Sequence, residues 1–301
     1  MNSKEIIQKA RKAGKCIPAF NIPHIPMMEP IVQAVTDENS VAMIQVARVE
    51  WEKMQAGSLE RIAEEYAKCG NPGYTLLHLD HIPVIDEDYR SVDYLSYLRR
   101  AIQAGFQSVM IDGSRLSLEE NIQATAQAVQ LAHDAGIPCE AELGAVMGHE
   151  SAVLPPYKEI FEKRLGFTKP EEAQRFVRES GCDWLSVAVG NIHGAIAEAV
   201  RNQKKPEAML DISHIAVLEA AAGVPLVLHG GSGVKRAFLL NAFHTGIAKM
   251  NVGTEMRQTY EFALAEKSGD VAYAQDALYR RVRIFLHTYL ENGDLKTQLG
   301  V

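Results

Sequence analysis

Residues 75–81 read TLLHLDH, an apolar run that ends in an aspartate and a histidine. Unbroken apolar runs, as opposed to alternating ones, are typical of parallel strands that are covered on both faces. Seven more runs of this kind occur along the chain, so eight strands are predicted. They cover residues 17–21, 42–47, 75–79, 107–111, 138–143, 184–189, 225–228 and 247–251.

Helical patterns lie between these strands. They cover residues 28–39, 59–69, 89–104, 117–135, 170–180, 214–222 and 235–245. Several of them are followed by a glycine just before the next strand, which is the usual C-terminal helix stop. Strict alternation of strand and helix predicts an α/β protein of the (β/α)8 type, a TIM barrel. An open Rossmann-type sheet is the alternative, but the GxGxxG fingerprint is absent after the first strand.

The chain contains more helix after the eighth strand than a barrel requires. Residues from about 260 to 301 carry two or three further amphipathic patterns, which predict a C-terminal helical extension. A length of 301 residues suits one large barrel. We therefore expect residues 1–301 to form a single barrel domain, with the extension at a subunit contact.

Composition narrows the class of protein. With 47% hydrophobic and 23% charged residues, the chain resembles an ordinary globular enzyme. The net charge is −7 and no block of Lys or Arg occurs, which argues against nucleic acid and anionic membrane surfaces as partners. No signal peptide or apolar span of about 20 residues is visible, so we expect a cytoplasmic protein. The four cysteines are far apart and are interpreted as reduced thiols.

The unusual polar residues fall at the C-terminal ends of the predicted strands, which form the functional face of such a barrel. They are Asp80, His81, Asp112, Glu142, His193, His229 and Asn251. Three imidazoles with an open position for substrate are the ligand set of a catalytic zinc ion. The candidate ligands are His81, His193 and His229. His78 shares a strand face with Asp80, so it is either a residue that orients a ligand or a hydrogen-bonded interior histidine.

A glycine-rich turn follows the seventh strand at residues 229–233. Backbone N–H groups in such a turn can approach an oxyanion, and the last two strands of a barrel commonly build a phosphate site. Gly230 and Ser232 belong to this turn, and Asn251 and Thr254 add an amide and a hydroxyl after the eighth strand. The sequence therefore predicts a phosphorylated substrate beside the metal.

Seven motifs, in order over residues 1 to about 260, resemble the class II, zinc-dependent fructose- and tagatose-bisphosphate aldolases. The motifs are PAFN at 18–21, HLDH at 78–81, IDGS at 111–114, EAELG at 140–144, GNIHG at 190–194, LHGGSG at 228–233 and KMNVGTE at 249–255. The resemblance implies reversible cleavage of a ketose bisphosphate to dihydroxyacetone phosphate and an aldehyde. It also implies a role in carbohydrate metabolism such as glycolysis, in a homodimer or homotetramer.

The resemblance also implies roles for particular residues. Asp80 matches the acid/base that handles the proton of the hydroxyl at the cleaved bond, and Glu150 the mobile acid that abstracts a proton. From its place at the end of strand five, Glu142 could orient a ligand or offer an alternative metal position. The substrate and its phosphate would be held by Asn21, Gly194, Gly230, Ser232, Asn251 and Thr254. The implied cofactors are Zn²⁺ and a monovalent cation, Na⁺ or K⁺, near the phosphate.

The chain departs from these relatives in ways that leave the sugar open. Ala47 stands in the loop after strand two where many relatives have serine, and residues 195–198 after Gly194 read AIAE, without the lysine that relatives often carry there. Arg48 and Arg115 are either replacement cations or ordinary surface arginines. The substrate could therefore be a bisphosphate, a monophosphate or another acid-bearing sugar.

Two other classes of function compete with an aldolase. A metal-dependent barrel hydrolase would use zinc to activate water, but the HxH pair that usually opens such barrels is absent from strand one, which is followed by His24 alone. A noncatalytic barrel subunit would not need Asp80 together with three histidines. Metal content and an assay for triose phosphate release distinguish the three.

Overall fold

The computed structural model describes residues 1–144, 156–191, 208–231 and 233–301. Its centre is a closed barrel of eight parallel strands in chain order, which confirms the predicted TIM barrel. The strands are β1 (Ile17–Asn21), β2 (Ala42–Ala47), β3 (Thr75–Pro83), β4 (Ser108–Asp112), β5 (Cys139–Leu143), β6 (Trp184–Val187), β7 (Leu226–Leu228) and β8 (Ile247–Val252).

Helices surround the barrel and continue beyond it. The α-helices are α1 (Ser3–Ala13), α2 (Met28–Asp37), α3 (Arg48–Lys53), α4 (Leu59–Cys69), α5 (Tyr94–Ala104), α6 (Leu118–Asp134), α7 (Tyr157–Glu162), α8 (Pro170–Ser180), α9 (Ile212–Ala222), α10 (Arg236–His244), α11 (Thr254–Glu266), α12 (Val271–Ile284) and α13 (Leu295–Leu299). A 3-10 turn at Ile25–Met27 precedes α2, and a π-helical turn at Phe285–Tyr289 follows α12. The last helices confirm the C-terminal extension.

The apolar core has two parts. The larger part fills the space between the strands and the surrounding helices. The smaller part lies inside the barrel at its N-terminal end, where Ile6 and Ile7 of α1 pack with inward-facing residues such as Met43 and Trp184. Because α1 covers that end, polar side chains inside the barrel face the opposite, C-terminal mouth.

Two register shifts bring extra side chains into the barrel. Between Leu79 and Ile82, β3 carries one more residue than its partner β4, and His81 has a φ of +35°. A bulge of this kind breaks the alternation of side chains, so the adjacent Asp80 and His81 both face the interior. A second shift occurs between β7 and β8, and it places Lys249 inside the barrel next to the inward-facing Ala248.

The predicted boundaries of several elements agree with the observed ones. Strands β1 and β2 and helices α4 and α8 have the predicted limits. Helix α5 begins at Tyr94 rather than at residue 89, because the preceding residues form a turn in which Ile85 bridges Ser91. The side chain of Asp93 then caps the helix by accepting a hydrogen bond from the backbone N–H of Ser96 at 3.1 Å.

Candidate active site

Asp80 lies at the centre of the C-terminal mouth and is almost fully buried. Three side-chain amides donate to it: Asn21 and Gln45 to Oδ2 at 3.0 and 3.1 Å, and Asn251 to Oδ1 at 2.9 Å. Burial raises the pKa of Asp80, but the neighbouring His81 and Lys249 outweigh that effect and hold its pKa below the ordinary value. Asp80 is therefore a fixed, ionised carboxylate, as a general base must be.

Two of the predicted metal ligands lie beside Asp80. The rings of His81 and His229 have centroids 4.4 Å apart. Glu142 Oε2 lies 3.1 Å from Nδ1 of His229 and 3.9 Å from Nδ1 of His81, and Asp112 Oδ2 lies 3.3 Å from the latter atom. Ligand atoms of Asp80, His81 and His229 fall within 4.8 Å of one another, as do those of His81, Asp112 and Glu142.

The charges of this cluster suit a divalent cation. Burial lowers the pKa of His81, but the carboxylates of Asp80 and Asp112 outweigh it and raise the pKa to about 10. The pKa of His229 is raised as well, because hydrogen bonds to Glu140 and Glu142 outweigh burial and the nearby His81. Two imidazoles that are surrounded by carboxylates thus form a site that favours a bound cation, and nitrogen and oxygen donors of this kind hold zinc and related metals.

The predicted phosphate turn lies at the same mouth. Gly230 has a φ of +64°, a left-handed conformation that suits glycine. A Cβ at Gly231 would lie 2.5 Å from Sδ of Met250, so a side chain there would collide with β8. Thr254 is the first residue of α11, and the free N–H groups of a helix N-terminus attract anions.

Four predicted site residues lie outside the described residues. They are Glu150, His193, Gly194 and Ser232, and their roles stay predictions. Six predicted residues are connected by contacts at the mouth: Asn21, Asp80, His81, Glu142, His229 and Asn251. Gly230 and Thr254 follow β7 and β8 at the same end of the barrel. Asn21 and Asn251, which the sequence assigned to the substrate, use their amides to hold Asp80.

Sequence reasoning missed three buried residues that support the site: Gln45, Glu140 and Lys249. Glu140 accepts from Nε2 of His229 at 2.8 Å and from Lys249 at 2.9 Å, and all three residues are fully buried. The sequence does contain a signal for two of them: Glu140 and Lys249 are charged residues of opposite sign inside predicted apolar strands, and such residues are rarely buried unless they are paired. Only the barrel, however, brings strands five and eight together.

The two arginines that the sequence left open have partners of their own. Arg48 lies 2.8 Å from Glu52, 3.5 Å from Asp86 and 3.8 Å from Glu87. The guanidinium of the exposed Arg115 lies 5.1 Å from the ring centroid of Tyr89. The charge of Arg48 is thus largely compensated by acidic neighbours.

A second buried carboxyl group lies close to Asp80. Glu50 Oε2 accepts from the backbone N–H of Ala47 at 2.8 Å and from the amide of Asn21 at 3.3 Å. Burial raises the pKa of Glu50 to about 8, the hydrogen bond from Ala47 opposes this, and the charge of Asp80 raises it further. Glu50 therefore carries a proton at neutral pH.

Replacing Glu50 by glutamine should remove a pH dependence of stability. Between about pH 4.5 and pH 8 the unfolded chain has released the Glu50 proton while the folded protein keeps it. The free energy of unfolding of the wild type should therefore fall as the pH rises, by up to about 1.4 kcal/mol per pH unit from this group. Urea unfolding of wild type and Glu50→Gln at pH 5 and pH 8 measures the difference. The free energies of unfolding of wild type and variant are compared at each pH. If their difference is the same at pH 5 and pH 8, Glu50 is not protonated in the folded protein.

No helix within the described parts of the chain has the length and apolar character needed to cross a bilayer.

Comparisons of the sequence and the structure with known proteins point to the same family. The model of the class II fructose-bisphosphate aldolase family matches residues 1–291. A fructose-bisphosphate aldolase of Helicobacter pylori is 32% identical, over 85% of this chain and 84% of that protein. The crystal structure of the YdjI aldolase from Escherichia coli K12 superposes with a TM-score of 0.75 at 27% identity, covering 96% of this chain and 97% of that one.

A third relative supports the fold alone. The fructose-bisphosphate aldolase structure from Campylobacter jejuni has a TM-score of 0.70 at 18% identity, and it covers 98% of this chain and 96% of that one. The match of the family model spans the barrel and most of the C-terminal helices. The chain belongs to the class II fructose-bisphosphate aldolase family, a generally metal-dependent family, and is an aldehyde-lyase built on a TIM barrel.

Proposed function

We propose that this enzyme is a zinc-dependent aldolase that cleaves a ketose phosphate, such as fructose or tagatose 1,6-bisphosphate, to dihydroxyacetone phosphate and an aldehyde. The observation that carries the proposal is the position of Asp80. It is an ionised carboxylate held by three amide donors, beside two imidazoles whose ligand atoms lie within 4.8 Å of its own. This arrangement supports a base and a metal-binding pair at one point of the mouth.

Each residue has a distinct task in this proposal. Asp80 accepts the proton of the substrate hydroxyl as the adjacent carbon–carbon bond breaks, and returns it in the reverse direction. His81, His193 and His229 would hold the ion, with Glu142 as a further ligand position. A divalent ion bound there supplies Lewis-acid polarisation of the ketone, worth several kcal/mol in the transition state. We assign Glu150 to proton exchange at the carbon of the dihydroxyacetone half.

The phosphate of the dihydroxyacetone half is proposed to lie over the turn after β7 and the start of α11. Gly230 and Gly231 let the backbone approach the phosphate closely, and Thr254 adds a hydroxyl at the helix N-terminus. Gly194, Ser232 and a monovalent cation would complete this site. Because these groups are adjacent to His229, the phosphate would fix the ketone close to the metal.

A second candidate substrate is a ketose that carries only this one phosphate. The surroundings of Arg48 favour it, because this guanidinium is already paired with the carboxylates of Glu52 and Asp86. A second dianion near the ends of β2 and β3 would meet these acidic groups. Ketose 1-phosphates yield the same dihydroxyacetone phosphate and an uncharged aldehyde.

An assay for dihydroxyacetone phosphate tests the proposal and separates the two substrates. The zinc-loaded enzyme is offered fructose 1,6-bisphosphate, tagatose 1,6-bisphosphate and fructose 1-phosphate. We expect release from at least one, loss of release after chelation, and recovery with Zn²⁺. A kcat/KM for the monophosphate equal to or above those for the bisphosphates identifies the second candidate. Zinc binding without release from any of the three would contradict an aldolase of this specificity.

We also propose that residues 1–301 form one domain in a cytoplasmic homodimer or homotetramer. The extension from about residue 260 contacts the helices that surround the barrel, since Tyr279 of α12 donates to Asp37 of α2 at 2.7 Å. Gln275 donates to the backbone carbonyl of Pro26 at 2.9 Å. Cooperative unfolding in a single transition supports one domain, and light scattering gives the number of subunits.

A further inference from the structure

Lys249 is a fully buried cation near the centre of the barrel. Its Nζ donates to Oδ1 of Asn251 at 2.7 Å and lies 2.9 Å from Oε2 of Glu140. Burying an ammonium group is costly unless it is paired and hydrogen-bonded. Each partner of this ammonium also contacts a residue of the candidate active site, which a pair serving stability alone would not need.

The first contact determines how Asn251 faces Asp80. An ammonium group only donates hydrogen bonds, so Asn251 must turn its oxygen toward Lys249. Its NH₂ group is then directed at Oδ1 of Asp80, at 2.9 Å. Without Lys249 the oxygen of Asn251 would lose this donor, and only the contact with Asp80 would hold the amide. Lys249 therefore helps to fix the position of one of the three donors to Asp80.

The second contact determines which nitrogen of His229 carries a proton. Glu140 Oε2 accepts from Nε1 of Trp184 at 2.6 Å as well as from Lys249, and Oε1 lies 2.8 Å from Nε2 of His229. A carboxylate only accepts, so Nε2 carries the proton. Nδ1, which lies 3.1 Å from Glu142 Oε2, is the nitrogen that would hold the metal.

We propose that Lys249 is a positioning residue that, through Asn251 and Glu140, orients both the acid/base Asp80 and the metal ligand His229. The inference rests on the proposed function, because it takes the roles of Asp80 and His229 from there. It adds one buried residue, which contacts Asn251 and Glu140 and on which proton transfer and metal binding would both depend.

Glu140→Gln tests the contact to His229. Trp184 and Lys249 both donate to the Oε2 position, so the glutamine oxygen must occupy it and the NH₂ group must face His229. Nε2 then has to accept, and the proton moves to Nδ1 on the metal side. We expect the affinity of the metal-free protein for Zn²⁺, measured by chelator competition, to fall about 10- to 100-fold.

Lys249→Met and the double variant Glu140→Gln/Lys249→Met distinguish a role in positioning the active site from a role in stability alone. Either single change leaves a buried group without its partner, so the unfolding temperature should fall. The double variant contains neither charge, and its unfolding temperature should recover toward that of the wild type. Its Zn²⁺ affinity should stay about 10- to 100-fold reduced. Its kcat should also stay low, with a smaller change in KM, because Asn251 has lost the donor to its oxygen and holds Asp80 less firmly.

Asp183→Asn is the matched control. Asp183 is also buried and accepts from His133 and from the backbone N–H of Cys139, both at 2.8 Å, just before β6 at the opposite end of the barrel. This variant should lose stability but bind Zn²⁺ like the wild type. The inference is overturned if the double variant recovers stability together with wild-type Zn²⁺ affinity and kcat. A wild-type protein that neither binds Zn²⁺ nor releases dihydroxyacetone phosphate would instead contradict the proposed function.

Discussion

Asp80→Asn should lower kcat for carbon–carbon cleavage by about 10³-fold or more, near the upper end of what a positioned acid/base contributes. An amide cannot accept the substrate proton. It also has one acceptor oxygen in place of two, whereas three amide donors meet at this position. The assay is release of dihydroxyacetone phosphate from the best ketose phosphate at saturating concentration.

Zinc binding provides the control for this variant. Because the imidazoles are retained, Asp80→Asn should hold Zn²⁺ with an affinity within about tenfold of the wild type, less than the loss expected when groups that orient a ligand are removed. Asp134→Asn, at the exposed end of α6, should leave both quantities unchanged. Cleavage by Asp80→Asn at more than a tenth of the wild-type rate would show that another group transfers the proton.

His81→Ala should abolish zinc binding at micromolar metal and, with it, cleavage. The loss of zinc affinity should exceed the 10- to 100-fold loss that follows when a residue that only orients a metal ligand is removed. Asp112 and Glu142 would lose the imidazole that lies within 4 Å of both carboxylates. Equilibrium dialysis against buffered Zn²⁺ gives the affinity, and the same aldolase assay gives the rate.

His244→Ala is the matched control for His81→Ala. His244 is an exposed histidine at the end of α10, so its removal should change neither zinc affinity nor kcat. If His81→Ala bound zinc as tightly as this control, His81 would not be a ligand. The metal would then have to be held by other residues of the chain.

The barrel could be predicted from sequence because its signals are local. Apolar runs mark strands that are buried on both faces, and Gly105 and Gly181 end α5 and α8 in left-handed conformations before the next strand. The predicted start of α5, at residue 89, is five residues before the observed one. The turn that contains the bridge from Ile85 to Ser91 is too short to give a recognisable hydrophobic pattern in the sequence.

The site was only partly predictable, because bulges leave no clear trace in a sequence. Strict alternation would send Asp80 and His81 to opposite faces of β3, and the extra residue against β4 turns both inward. A similar shift places Lys249 inside the barrel. The supporting residues Gln45 and Glu140 were missed for a related reason: their partners lie on other strands, and only the closed barrel brings them together.

Anomalous diffraction at the zinc absorption edge tests the metal site most directly. Crystals of protein stripped with chelator and reloaded with one equivalent of Zn²⁺ should give a single strong peak. That peak should lie about 2.0–2.1 Å from one ring nitrogen of each of His81 and His229, next to Asp80. A zinc peak that contacts neither ring, or rings that stay too far apart to share one ion, would contradict a zinc aldolase centred on these residues.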